Sequence, residues 1–112
     1  MEIMLGTMAF HLHTLWMFTS DSLLDTVIPC TVFAICCTLS NDLLHLPVLT
    51  ESSVLLRLPH VVVWLWLLVL QFCIHNQSSR QSIKEDLYNK PWRPLPAGRI
   101  TIQRSHQVLR GL

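Results

Sequence analysis

Positive charge is missing from the first half of this chain: of eight Lys and Arg in 112 residues, none precedes Arg57 and seven lie between Arg80 and Arg110. Charge of either sign is scarce. Charged residues make up 13% of the chain against 51% hydrophobic, roughly half the charged share of a soluble domain, which excludes an ordinary water-facing surface. Glycine is scarcer still: three in the chain leave no phosphate-binding glycine loop and no Gly-x-Ser-x-Gly elbow, and there is no His-Glu-x-x-His helix either. The cysteines, Cys30, Cys36, Cys37 and Cys73, sit in apolar stretches without Cys-x-x-Cys spacing, so neither a zinc site nor a secreted disulfide framework is expected, only buried thiols. The histidines are scattered, and His11 and His13, two apart, diverge on a helix. Only Tyr88 and Trp92 are available to stack in the basic tail, which excludes nucleic acid as the partner. Glu2 stands where a signal peptide needs a cation, and no small-residue cleavage site follows, so the N-terminal segment is expected to stay attached.

What is abundant is apolar sequence of membrane length. Residues 58–79 hold no Asp, Glu, Lys or Arg, and a helix rising about 1.5 Å per residue crosses roughly 30 Å of hydrocarbon within that length. A second apolar stretch, 23–39, carries Asp25 near its start; a carboxylate so placed reaches the interface and marks the helix end. Residues 1–22 hold two His, with Trp16 and Phe18 at interfacial depth, and are expected to lie along the membrane surface as an amphipathic segment. The expectation is all-α: an interfacial segment over 1–22, transmembrane helices over 23–40 and 57–77 joined by a loop at 41–56, and a loop over 78–112 leading to a third helix. Two spans return the chain to the side it started from. The cations of residues 80–110 mark that side as cytoplasmic, making the protein integral and multi-pass in the bilayer. Asn76-Gln77-Ser78 reads as a glycan acceptor, but on this topology it never meets the lumenal machinery.

The tail carries the chemistry. "NKPWRPLPAGR", residues 89–99, sets three prolines and three cations around a tryptophan. Each proline fixes its own φ and restricts its predecessor, so 91–96 is expected near polyproline geometry, presenting Lys90, Arg93 and Arg99 at set spacing for phosphate oxygens. Glu85 and Asp86, just upstream, are hard oxygen donors of the kind Mg²⁺ takes together with a substrate phosphate. Plainer readings stand beside these. Ser82-x-x-Glu85 fits a capping box, Asn76 fits a simple helix cap, the cations suit anionic lipid, and Arg-Pro-Leu-Pro is half of an adaptor ligand.

Taken in order, Asn76, Glu85-Asp86 and "NKPWRPLPAGRIT" at 89–101 resemble the first aspartate-rich motif and following loop of the UbiA superfamily of membrane-embedded prenyltransferases, in particular a fungal branch. "TLWMFTSDSLLDTVIPCTVFAI" at 14–35 resembles that branch's lead-in and first membrane helix. The resemblance covers roughly 14–110. It implies the N-terminal part of a multi-helix bundle, in which two acidic motifs hold Mg²⁺ against the diphosphate of a prenyl substrate. It assigns Glu85 and Asp86 to the metal, and Lys90, Arg93, Arg99 and Asn76 to the diphosphate. Departures are plain: the commoner Asn-Asp-x-x-Asp-x-x-x-Asp pattern meets Gln77, Arg80 and Lys84 here, and the second acidic motif is not in the sequence. The expectation is therefore the N-terminal portion of a Mg²⁺-dependent prenyltransferase, inactive as this fragment, with a missing C-terminal half. The alternatives are a terpene cyclase of the same type, and a non-enzymatic two-span protein whose basic loop binds an adaptor or anionic lipid.

Overall fold

A computed structural model describes residues 1–40 and 51–112. All secondary structure among them is helical. Helix α1 (Glu2–Thr19) continues through a 3₁₀ turn (Ser20–Ser22) and a π turn (Leu23–Val27) into α2 (Ile28–Leu39). Helix α3 spans Glu51–Gln77, α4 Arg80–Asn89 and α5 Ile102–Gly111. Two helical stretches, Glu2–Leu39 and Ser52–Gln77, are long and apolar enough to cross a membrane, and few residues of either are buried within the chain. A core helix of a soluble protein shows the reverse.

The apolar helices accommodate their hydroxyls internally. Thr7, Thr14, Thr31 and Thr38 each donate to the carbonyl four residues back, at 2.7–2.9 Å, and Thr19 donates to the Trp16 carbonyl at 3.0 Å. A hydroxyl bonded to its own helix needs no water, which suits a segment placed in hydrocarbon. An interfacial amphipathic segment was expected over 1–22; α1 carries its apolar residues around the whole circumference and not on one face. Of the four thiols only Cys73 is buried; Cys30 and Cys36 are exposed and Cys37 is half-buried. The expected burial of all four fails because α2 packs little of its surface within the chain.

Helix α3 starts well before the expected boundary at 57, and Pro59 lies inside it. Residues 51–56 of the expected loop are thus helical, while 41–50 fall outside the described residues. A proline there has no N–H for the carbonyl four back, and the helix nonetheless continues to Gln77.

The residues fall into two compact groups, Met1–Asp21 with Leu70–Leu112, and Ser22–Val69. The first group holds nearly all the buried side chains: Phe18 of α1, Leu70, Cys73 and Ile74 of α3, Asp86 of α4, Pro94 and Leu95 of the following loop, and Ser105 of α5. Helix α5 joins by an amphipathic stripe, with Ile102, Val108 and Leu109 half-buried around Ser105. Gln77, at the end of α3, donates from Nε2 to the Phe18 carbonyl at 3.1 Å, tying α3 to α1.

Candidate functional site

The site lies wholly within the first group and begins with helix α4. Its N-cap is Ser79, whose Oγ accepts from the Ser82 N–H at 3.0 Å and donates to the Ser82 hydroxyl at 2.7 Å. The capping box expected at Ser82 therefore does not form. The helix starts one turn earlier, and Glu85 stands within it, accepting from Gln81 Nε2 at 3.4 Å. Consecutive residues on a helix point about 100° apart, so Glu85 and Asp86 part company: Glu85 is exposed and Asp86 is 7% exposed.

Asp86 turns inward to Arg93. The guanidinium Nη1 donates to both carboxylate oxygens, at 2.9 and 3.1 Å. Arg93 Nη2 lies 3.4 Å from Asp21 Oδ2, and Lys90 Nζ lies 3.8 Å from the same oxygen. Two cations and two carboxylates are thus gathered where the 3₁₀ turn after α1 meets the loop after α4. They differ in burial. The side chains of Asp86 and Arg93 are 10% and 18% exposed, whereas those of Asp21 and Lys90 are 38% and 42% exposed. The inner pair is short and shielded; the outer contacts are long and wet, and such pairs hold weakly. Among the described residues the buried Nε of Arg93 has no hydrogen-bond partner, nor has the Oε1 of Gln77.

The proline loop is not polyproline. That conformation has no internal hydrogen bonds, yet here Ala97 N–H donates to the Arg93 carbonyl at 2.9 Å, Gly98 N–H to Leu95 at 3.2 Å and Arg99 N–H to Pro94 at 3.0 Å. The last two are the nested bonds that close a glycine-terminated helix end, with Gly98 at φ 73° in the left-handed position such an ending requires. Three prolines give one short helical turn because two of them, Pro94 and Pro96, lie in its first positions, where a missing N–H costs nothing.

This turn separates the three cations. Arg99 is carried away from Arg93 and onto α1, where Nε donates to Thr14 Oγ1 at 3.3 Å, Nη2 lies 3.1 Å from His13 Nδ1, and the guanidinium carbon stands 4.4 Å from the Phe10 ring centroid. Thr14 meanwhile donates to the Phe10 carbonyl at 2.8 Å, so its hydroxyl is used in both directions. Asn76 is exposed on the last turn of α3. Of the residues assigned to the diphosphate, Lys90 and Arg93 are brought together, while Arg99 and Asn76 stand elsewhere.

Asp21, which sequence reading passed over, is the residue the cations share. Its signal was the charge asymmetry: an acidic residue in a cation-free half faces a tail that holds nearly every cation. The contacts of Gln77, His13 and Thr14 have no local sequence signal. The donor set does not fit Mg²⁺ as it stands. Asp86 is taken by Arg93, Glu85 points away, and among the described residues no three His, Cys, Asp or Glu side chains converge.

No family model, curated protein or solved structure matches the chain.

Proposed function

We propose that the chain carries the diphosphate-gripping loop of a UbiA-type membrane prenyltransferase, with Lys90 and Arg93 as the groups that take the head of a prenyl diphosphate. The observation that carries this reading is the pairing of Lys90 and Arg93 over one weakly held carboxylate, with the buried Asp86 fixing the Arg93 guanidinium. Arg supplies two donors in a plane and Lys a movable point charge, a combination suited to neighbouring phosphate oxygens. In the proposed setting α2 and α3 cross the bilayer and the tail lies at the cytoplasmic surface. Negative charge that builds on a leaving diphosphate would meet fixed positive charge there. An allylic cation would also need walls that keep water from it.

The adaptor-ligand reading needs an extended Pro-x-x-P segment, whereas backbone bonds across 90–93 and 93–99 fold these prolines into turns. Anionic lipid is the better-supported rival: Tyr88 and Trp92 are 90% and 52% exposed beside Lys84 and Lys90, as in interfacial anchors. Binding of geranylgeranyl diphosphate to the chain in zwitterionic nanodiscs, with and without Mg²⁺, separates the two. A charge-assisted hydrogen bond contributes about 1.5–3 kcal/mol, so Arg93→Gln is expected to weaken binding roughly tenfold to a hundredfold. No binding of geranylgeranyl diphosphate by the wild type, with binding to anionic nanodiscs that Arg93→Gln and Lys90→Gln weaken, would replace the prenyl diphosphate by a lipid headgroup.

A further inference from the structure

We infer that Asp21 is a built-in competitor for the anion site: its carboxylate occupies Lys90 and Arg93 in the free protein, and an incoming diphosphate binds by displacing it. The inference rests on the proposed diphosphate reading and adds the residue that regulates access.

The charges of the cluster already balance, two positive against two negative, so an anion cannot simply be added. One of the carboxylates has to yield. Asp86 is nearly buried and bonded through both oxygens to a single Arg93 nitrogen, and withdrawing it would leave a shielded charge uncompensated, the more costly change. Asp21 is bound through one oxygen only, at 3.4 and 3.8 Å, and is exposed enough for water to solvate it on release. The asymmetry assigns roles. Asp86 positions Arg93, and Asp21 holds the place of the ligand. A phosphate oxygen arriving where Asp21 Oδ2 now sits inherits both cations without any movement of the α4–loop turn.

The arrangement also addresses the poor fit to magnesium. With Asp21 displaced, Lys90 and Arg93 face the ligand with only Asp86 opposing them, so a simple diphosphate binds without a metal.

The test uses inorganic pyrophosphate with EDTA present and the full chain in zwitterionic nanodiscs, read by calorimetry. Asp21→Asn removes the competing charge and is expected to tighten pyrophosphate about fivefold, the sum of two weak exposed contacts. Asp25→Asn, which removes an exposed charge four residues along, is expected to change it less than twofold. Arg93→Gln in the Asp21→Asn background is expected to abolish the gain. Asp21→Ser, checked like Asp21→Asn for native helix content by circular dichroism, guards against an effect peculiar to one side chain. If wild type and both Asp21 variants bind equally, the displacement idea is wrong and the diphosphate reading stands. Equal gains from the Asp25 and Asp21 variants reduce Asp21 to a general field effect, which also overturns it. If no variant binds pyrophosphate, the diphosphate reading itself falls, and Asp21 with it.

Discussion

Replacing Arg99 separates two roles that the sequence had merged. If Arg99 docks the tail on α1, its loss frees the loop; if it is a diphosphate ligand, its loss weakens the ligand and leaves the loop in place. The docking contacts are two hydrogen bonds at 3.1 and 3.3 Å and a ring contact at 4.4 Å. A half-exposed cation–π contact contributes about 0.5–1 kcal/mol, and one long charge-assisted bond about 1.5 kcal/mol at the low end. Arg99→Gln is therefore expected to destabilise docking by about 2 kcal/mol, or roughly 30-fold in the docked-to-undocked ratio at 1.4 kcal/mol per factor of ten. Hydrogen exchange reads this directly, because the Gly98 and Arg99 amides are bonded only while the turn is closed. Their protection should fall about 30-fold, while amides near Ile74 in α3 keep theirs. Arg99→Lys retains charge but not the planar fork and should fall between. Unchanged protection at Gly98 with a tenfold loss of diphosphate affinity would refute the docking role; an equal loss throughout α3 would show global unfolding instead.

Two further predictions concern local endings. Ser79→Ala removes the acceptor of the Ser82 N–H and should destabilise α4 by about 1 kcal/mol, measured as faster amide exchange at Ser82, whereas Glu85→Ala, the partner a capping box would need, should have less than half that effect. Gly98→Ala meets no steric obstacle but keeps a left-handed backbone. It should loosen the 93–99 turn by about 1 kcal/mol, visible as lost protection at Arg99.

Helix α3 was legible because charge is missing from 58–79, and length alone then limits what the segment can be. Its start was not: Arg57 was read as the end of the loop, and the helix begins at Glu51. Local proline rules suggested a stiff extended loop; they omit the carbonyls, and three backbone bonds plus Gly98 wound the same residues into a turn. Ser79 and Ser82 both precede plausible helix starts, and the three-residue spacing to Glu85 favoured the wrong one. The partnership of Asp21 with Arg93 spans 72 positions, beyond the reach of any periodicity. Residue types near the site were readable, but which of the cations share a carboxylate was a matter of tertiary placement.

The apolar stretch Ser52–Gln77 is 26 residues, a contour of about 39 Å. A hydrocarbon slab of about 30 Å crossed upright would leave about six of those residues over, whereas a lean of about 40° would use the whole length. Bilayer thickness would thus set the lean of this helix.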